Sequence, residues 1–247
     1  MIDAWIFVYI YIYETNLTFV CSIMQFIAHP TTIDMLNIED QGQSRVNALF
    51  PDSIRAIICG PSNGGKTNSL VSLLLSENGP SFRNVYVYSK SLFQPKYQFL
   101  EKVFSGMKEI GYHTFSNNAD VLSPEETEPN SVCIFDDISC EKQDVVKNFF
   151  SMGRHRNLNV FYLCQSYSQI PKFLIRDNTN FLMVFKQDEL NLRNIHRSHV
   201  NSDMTFEKFL ELCRICWSEN FGFLLIDKES DVSDGRYRKG FNMFAVL

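Results

Sequence analysis

A glycine-rich segment at residues 60–67, with the sequence GPSNGGKT, fits the pattern G-x-x-x-x-G-K-[ST] at every fixed position. Glycines in such a loop let backbone N–H groups converge on phosphate oxygens, and the N-terminus of a following helix adds partial positive charge. Lys66 would then reach the β- and γ-phosphates of a nucleotide, and Thr67 would place its hydroxyl on Mg²⁺. The residues expected to contact the nucleotide are Gly60, Pro61, Ser62, Asn63, Gly64, Gly65, Lys66, Thr67 and Asn68.

The sequence on either side of this loop matches the structural context that the motif requires. A mainly apolar run at residues 54–59 precedes the loop, and the amphipathic run TNSLVSLLL at residues 67–75 follows it. This order predicts a strand, a phosphate-binding loop and a helix. A chance match or a simple glycine-rich turn is the alternative interpretation, and the two flanking runs disfavour it.

Two carboxylates, Asp136 and Asp137, follow a second apolar run about seventy residues after the loop. An aspartate at the end of a strand beside the loop would hold the Mg²⁺ shell, usually through water, and the next carboxylate would orient or deprotonate an attacking water. We therefore assign Asp136 to the metal and Asp137 to the water. A solvated strand end is the alternative, because an apolar run ending in two aspartates is common by itself.

Further candidates surround a third apolar run, at residues 160–164, which ends in Gln165. This amide could bridge the γ-phosphate and the water, or it could simply cap a loop. Arg154 lies in the basic segment GRHRN at residues 153–157. Three interpretations of Arg154 stay open. It could be an arginine finger that contacts a phosphate in its own or a neighbouring subunit, part of a solvated basic turn, or a contact with the DNA backbone. Arg176 is a second finger candidate.

Short apolar runs alternate with mixed segments along the chain, which predicts an α/β domain with a mostly parallel sheet. The predicted buried strands cover residues 54–59, 84–88, 132–135, 160–163 and 181–185. The predicted helices cover residues 67–75, 98–110, 141–152, 168–175, 191–200 and 205–217. Two later strands, at 221–227 and 241–247, are expected to be joined by a polar turn at 230–235.

Composition sets limits on these interpretations. The chain has 247 residues, 45% of them hydrophobic and 21% charged, as in an ordinary globular domain with a sizeable core. Phenylalanine is abundant, with 22 residues, so the core should be rich in phenylalanine. Lys+Arg 23 against Asp+Glu 28 gives 23 − 28 = −5. Nucleic acid would therefore have to be held by a local patch or by a ring of subunits.

The seven cysteines do not resemble a disulfide framework. Cys59, Cys133, Cys164 and Cys213 fall in apolar or helix-like segments, which predicts buried free thiols in a reducing compartment. His196 and His199, together with Cys213 and Cys216, have the i, i+3 spacing of zinc ligand pairs. We favour packing for these four residues, because the cysteines belong to an amphipathic pattern.

The first thirty residues are unusually apolar. Residues 4–13 are continuously apolar, and a second apolar stretch covers residues 17–28. The first run is short for a membrane span and lacks the basic start of a secretory signal. A membrane anchor, a hairpin packed on the domain, and an extension outside the functional domain are the three interpretations. We favour the third, with residues 1–34 as the extension, Met35 as an alternative start and residues 45–247 as the functional domain.

Four segments together resemble the FtsK/HerA superfamily of P-loop ATPases. They are GPSNGGKT, NVYVYSKSLFQPKY, IFDDISCEKQDVVKNFFSMGRHRN and FYLCQSYSQIPKFLIRDNTNFLMVFKQ. Within the superfamily the chain is similar to the poxvirus-type genome-packaging ATPases of large DNA viruses and Polinton-like elements, over roughly residues 45–245. The resemblance implies the α/β fold of a P-loop NTPase, with a mostly parallel central sheet flanked by helices. It also implies the class of this fold in which an additional strand lies between the strand before the glycine-rich loop and the strand that ends in Asp136.

The resemblance also implies a function: ATP hydrolysis that depends on Mg²⁺ and drives double-stranded DNA, usually into a capsid. It implies a homo-oligomeric ring, pentamer or hexamer, with capsid or portal proteins as partners, inside a host cell or in a virion. By position, Lys66 and Thr67 would bind the nucleotide and Mg²⁺, and Asp136 would bind the metal. Gln165 would act as the sensor residue that contacts the γ-phosphate. Asp137 is a departure, because the superfamily commonly has glutamate there, and a shorter side chain must lie closer to the water.

Two other functions stay open on the residues alone. One is a P-loop kinase that acts on a nucleoside or small molecule, and the other is a non-catalytic nucleotide-binding remnant of a mobile element. Lys90 and Lys96 are candidates for contacts with DNA. The basic cluster at Arg236, Arg238 and Lys239 could meet DNA or a partner, although we favour a solvated turn between strands.

Overall fold

The apolar runs of the sequence form the strands of one large sheet. The computed structural model describes residues 24–28, 50–51, 53–117, 120–136, 138 and 144–247. In this part of the chain the strands are β1 (Gln25–Ala28), β2 (Arg55–Cys59), β3 (Asn84–Ser89), β4 (Gly111–Phe115), β5 (Ser131–Asp136), β6 (Leu158–Cys164), β7 (Phe181–Val184), β8 (Leu224–Asp227), β9 (Tyr237–Lys239) and β10 (Met243–Val246).

Helices connect most of the parallel strands. The described α-helices are α1 (Lys66–Leu75), α2 (Pro95–Ser105), α3 (Asp144–Met152), α4 (Glu189–Ile195) and α5 (Phe206–Cys216). Short 3₁₀ turns occur at Gly153–Arg156 and Tyr167–Gln169, and single π-helical turns occur at Lys172–Arg176 and His196–Val200.

The strand order in the sheet is β1-β10-β9-β8-β7-β2-β6-β5-β3-β4. The six strands from β7 to β4 are mutually parallel, and the remaining neighbours pair antiparallel. Strand β6 separates β2 from β5, which confirms the predicted fold class with its additional strand. Because the six strands are parallel, their carboxyl ends lie along one edge of the sheet, where ligands bind in folds of this kind.

The core lies on both faces of the sheet, as expected for parallel strands covered by helices. Alternate residues of β2 belong to different clusters, with Ile57 in one and Ile58 in the other. Helices α1 and α2 pack on the second cluster, and α3 and α5 pack on the first. Many of the largest buried side chains are phenylalanines, which confirms the predicted composition of the core. Each contributes about 1.5–3 kcal/mol by its burial.

Several element predictions are corrected by the structure. Strand β4 was not predicted, because it lies at the edge of the sheet and has no continuous apolar run. The helix expected at 168–175 is replaced by a 3₁₀ turn and a π-helical turn on either side of Pro171, which cannot continue a helix from preceding residues. Helix α2 begins at Pro95, a favourable first helical residue, and ends before Gly106.

Part of the apolar N-terminal segment joins the sheet. Strand β1 pairs antiparallel with β10, from Gln25 opposite Val246 to Ala28 opposite Met243. The apolar run at 4–13 and Met35 lie outside the described residues. The division into residues 1–34 and 45–247 therefore stays a prediction. Across the part of the chain that the structure describes, no helix is both long and apolar enough to cross a membrane.

Candidate active site

The glycine-rich loop connects β2 to α1 at the carboxyl edge of the sheet, as the motif requires. Gly65 adopts a φ of 96°, a left-handed conformation that disfavours other residues. At Gly60 the constraint is space, because a Cβ atom there would lie 2.6 Å from the Cβ of Phe185. The loop conformation thus depends on these glycines, and the first residues of α1, Lys66 to Asn68, line the cavity at this edge.

Lys66 is folded over the loop that carries it. Its Nζ donates hydrogen bonds to the carbonyl oxygens of Gly60, at 2.8 Å, and Pro61, at 2.9 Å. Partial burial lowers the pKa of Lys66, and the negative charge of Asp136 opposes this shift. Lys66 and Asp136 also line one cavity, as required of a lysine and an aspartate that serve one nucleotide.

A cavity of about 790 Å³ lies above this edge of the sheet. Its size is within the range of small-molecule sites in proteins. The cavity brings together the loop, the end of β5, the segment after β6 and the start of α4. Its lining residues include Ser62, Asn63, Gly64, Gly65, Lys66, Thr67, Asn68, Asp136, Gln165, Ser166, Gln169, Asp188, Asn191 and Phe221. Most of the predicted nucleotide contacts therefore line one space.

Asp136 is the last residue of β5, and only 6% of it is exposed. Its Oδ2 accepts a hydrogen bond from Lys96 Nζ at 2.7 Å and another from the hydroxyl of Tyr97. Lys96 and Tyr97 belong to the first turn of α2, which follows β3, the neighbour of β5. Lys96 therefore lies in the cavity beside Asp136, and its contact with DNA stays a prediction. No local sequence pattern indicates this pairing, because α2 and β5 are far apart in the chain.

Oxygen donors for a cation are present in the cavity. Thr67 and Asp136 both line it, and Mg²⁺ is usually held by one or two carboxylates together with substrate phosphates. Among the described residues there is no cluster of three or more His, Cys, Asp or Glu side chains that could hold a metal alone. The donor set therefore fits a metal that arrives with a nucleotide.

Gln165 follows β6 directly and is exposed in the cavity, between the loop strand and the acidic strand. Its backbone oxygen accepts a hydrogen bond from Gln187 Nε2 at 3.3 Å. The next residues are held by Asn191, whose Oδ1 accepts from Ser166 Oγ at 3.1 Å and from the Ser168 N–H at 2.8 Å. Asn191 was not among the predicted site residues, because it lies in a predicted helix and no local pattern indicates a polar role.

Asp188 holds Asn191, which in turn holds the segment after Gln165. Its carboxylate accepts hydrogen bonds from the backbone N–H of Asn191, at 2.9 Å, and from the Asn191 side chain, at 2.7 Å. Asp188 is thus the N-cap of α4, and these bonds lower its pKa. An Asp before an apolar helical pattern is the signal that could have identified this cap.

Arg154 does not reach the cavity of its own chain. It lies in the turn before β6, at the amino edge of the parallel strands, where its charge acts on Arg55 at the start of β2. Strand β6 has seven residues, so the two edges are about 20 Å apart. The structure therefore corrects the interpretation of Arg154 as an arginine finger for the nucleotide cavity of its own chain. Arg176 also has a partner within its own chain, because its Nη2 donates a hydrogen bond to the backbone oxygen of Ser168 at 2.6 Å.

Asp137, the residue predicted to hold the attacking water, lies outside the described residues. Its role stays a prediction.

The four candidate zinc ligands take part in other contacts. His196 Nε2 lies 2.8 Å from the Met204 oxygen, and His199 Nε2 lies 2.6 Å from the hydroxyl of Tyr167. Cys213 and Cys216 are fully buried free thiols of α5, and burial raises the pKa of both. Packing, the favoured interpretation, agrees with these contacts. Cys59, Cys133 and Cys164 are likewise buried and free, as predicted.

The basic cluster near the end of the chain is not a solvated turn. Tyr237–Lys239 forms strand β9, in which Arg238 is only 2% exposed and lies 2.9 Å from Asp227 Oδ2. Arg236 pairs with Asp203 and Lys239 pairs with Glu219, each at 2.6 Å. The three positive charges are thus compensated by acidic residues of the same chain.

The strand, glycine loop and helix, set in a parallel sheet with an additional strand before the acidic strand, define a P-loop NTPase. The family model of the poxvirus A32 protein matches residues 42–242, which is most of the chain. The chain therefore belongs to the poxvirus A32 family, a family of packaging ATPases, as its resemblance predicted. A search of curated protein sequences gave no significant match.

Solved structures share the fold at low sequence identity. The genome packaging NTPase B204 from Sulfolobus turreted icosahedral virus 2, in complex with AMPPCP, is 12% identical, with a TM-score of 0.52 over 73% of this chain and 95% of that one. The same protein in complex with AMP is 14% identical, with a TM-score of 0.49 over 73% of this chain and 95% of that one. The first likeness supports the same fold.

Proposed function

We propose that this chain hydrolyses ATP with Mg²⁺ in order to move double-stranded DNA, in the packaging of a viral or virus-like genome. As a member of the packaging-ATPase family it is an ATP hydrolase. One observation carries the assignment of the site: a single cavity is lined by Lys66 and Thr67 from the loop, Asp136 from the acidic strand and Gln165 from the strand between them.

Each part of the cavity would have a distinct role. The backbone of residues 60–67 would bind the phosphates, and Lys66 would turn from the loop carbonyls to the β- and γ-phosphates. Thr67 and Asp136 would hold Mg²⁺, which when bound neutralises charge on those phosphates. Asp137 would orient or deprotonate the attacking water, and Gln165 would contact the γ-phosphate and the water.

The nucleotide assignment is supported by the shape and chemistry of the site. The cavity is large enough for a nucleoside triphosphate and is lined mainly by polar groups. The B204 protein, which shares the fold, is described as a genome packaging NTPase and has been solved with AMPPCP. ATP is accordingly the nucleotide that we propose.

Movement of DNA is proposed to require a homo-oligomeric ring, because the chain has no excess of positive charge. Its net charge is −5, so a single subunit attracts DNA poorly. A ring would also give the exposed Arg154 a role as an arginine finger, because it lies too far from its own cavity and would have to act on the nucleotide of a neighbouring subunit. Capsid or portal proteins would complete the machine inside the host cell or the virion.

The direct experiment is ATP hydrolysis by the full chain, measured with and without duplex DNA and with Mg²⁺ or EDTA. We expect turnover that requires Mg²⁺ and increases with DNA. The Lys66→Ala variant should fold, as judged by circular dichroism, and should lose this turnover. Turnover that requires a nucleoside or other acceptor would instead indicate a kinase, and ATP binding without turnover would indicate a non-catalytic remnant.

A further inference from the structure

Phe221 is an exposed aromatic residue at the edge of the sheet that carries the nucleotide loop. It precedes β8, which runs antiparallel to β7 with Leu224 opposite Val184, the last residue of β7. The segment before β8 therefore emerges at the carboxyl edge of the parallel strands. Phe221 lines the cavity there, and 61% of it is exposed.

The backbone of Phe221 is strained. Its φ is 60°, a left-handed conformation that is rare for a bulky side chain and tends to occur at functional sites. Its side chain lies against the nucleotide loop, because a Cβ atom on Gly65 would be 3.1 Å from the Cβ of Phe221. The strain thus places an aromatic ring beside the phosphate-binding loop.

The segment that carries Phe221 is anchored on both sides. Before it, Trp217 Nε1 donates a hydrogen bond to the Val184 oxygen at 2.9 Å. After it, the Phe223 ring packs against the rings of Phe185 and Phe241, with centroids 5.1 and 5.0 Å away. The backbone segment that carries the exposed ring is therefore tied to the rest of the domain on both sides.

The cavity has two chemically different ends. Asp136 and Lys96 lie at the end formed by β5 and β3, whereas Phe221 lies beyond β2 and β7 at the opposite end. This step rests on the proposed function: the γ-phosphate must lie towards Asp136 and Gln165, where hydrolysis occurs. With the phosphates on the loop between the two ends, the sugar and base extend towards Phe221.

We propose that Phe221 stacks on the base of the bound nucleotide. Bases stack well on aromatic side chains, at a cost of about tenfold or more in affinity when the ring is removed. Stacking does not depend on hydrogen bonds to the base, so this contact raises the affinity for ATP and GTP alike. The strained conformation is retained because it presents the ring to the ligand.

The experiment compares ATP with inorganic tripolyphosphate, which has the phosphates but no base, by isothermal titration calorimetry on the full chain in EDTA, so that no Mg²⁺-dependent hydrolysis occurs during the titration. Phe221→Ala should weaken ATP binding about tenfold and leave tripolyphosphate binding unchanged. Phe221→Tyr should bind ATP like the wild type. The matched control is Phe173→Ala, which removes another exposed ring, 74% exposed and outside the cavity.

A second variant separates stacking from folding. Phe221→Gly suits the positive φ, so it should melt no lower than the wild type and still lose the same tenfold in ATP affinity. Unchanged ATP affinity in both variants would overturn the proposal, as would an equal loss for ATP and tripolyphosphate, since that would indicate a distorted loop. A wild-type protein that binds neither ligand would overturn the proposed function itself, and stacking with it.

Discussion

Lys96 Nζ lies 2.7 Å from Oδ2 of Asp136, the carboxylate that we propose as a ligand of Mg²⁺. The ammonium group and the hydroxyl of Tyr97 both bind the same oxygen, and Asp136 is nearly buried. A buried carboxylate without such partners would be costly, so these contacts offset the cost of burying Asp136. A cation that binds Asp136 must compete with Lys96 for it.

We therefore expect Lys96→Met to strengthen the binding of a divalent cation to the nucleotide-free protein. Removing the competing ammonium leaves more negative charge available to the metal, so the affinity for Mn²⁺, used as a probe for Mg²⁺, should rise several-fold. Electron paramagnetic resonance of free Mn²⁺ measures this without any turnover. Lys102→Met is the matched control, because Lys102 is an exposed lysine of the same helix. Equal Mn²⁺ affinity in both variants would contradict the competition.

Asp137→Asn should retain ATP binding and lose hydrolysis. An amide keeps the size of the side chain but cannot accept a proton, and loss of a general base typically reduces a rate by 10²- to 10⁴-fold. Calorimetry with ATP and a phosphate-release assay report the two properties separately. Hydrolysis at the wild-type rate would remove Asp137 as the base, and the water would then need another partner.

The loop and the central strands could be predicted because their signals are contiguous in the chain. The pattern at residues 60–67 specifies its own conformation, and the strands on either side of β2 are buried on both faces, so they are continuous apolar runs. Edge strands lack this signal. In β4, His113 and Thr114 are exposed, so no apolar run marks the strand.

The missed features depend on partners that are distant in the chain. Lys96 is 40 residues from Asp136, and nothing local to either residue indicates their contact. Arg238 is basic, which suggests solvent exposure, yet it is buried because Asp227 on the neighbouring strand β8 neutralises it. Contacts between elements that are distant in the chain, which local sequence patterns do not encode, decide the burial and the partners of such residues.

Arg154→Ala tests whether this arginine acts on the cavity of a neighbouring subunit. A finger supplied in trans contributes about 10³-fold or more to turnover, so the variant should be nearly inactive although its own cavity is intact. The key measurement is a mixture of Arg154→Ala with Lys66→Ala. Rings of both variants contain some interfaces with an intact Lys66 facing an intact Arg154, so mixing two inactive proteins should restore part of the activity.

The control for this experiment is Arg214→Ala, which removes an exposed arginine of α5. This variant should hydrolyse ATP like the wild type. If Arg154→Ala is fully active, Arg154 belongs to a solvated turn or to a DNA contact. If the mixture stays inactive while each variant still assembles into rings by light scattering, the arginine does not act in trans.

His199 should make the stability of the fold dependent on pH. Burial lowers the pKa of His199 to about 3, and the charges of Lys228, Arg176 and Arg236 act in the same direction. The neutral ring is hydrogen-bonded to Tyr167. A histidine in the unfolded chain has a pKa of about 6.5, so below that pH the unfolded state gains a proton that the folded state does not bind.

The contribution of this group to the free energy of unfolding should therefore be fully retained at about pH 8, well above the unfolded pKa, and about 2 kcal/mol of it should be lost between about pH 8 and pH 5. His199→Gln, which cannot gain the proton, should lose less over the same interval. Urea unfolding at both pH values gives the difference for each protein. His155→Gln, at an exposed position, should behave like the wild type. An equal decrease in wild type and His199→Gln would mean that His199 is already protonated, or accessible to water, in the folded protein.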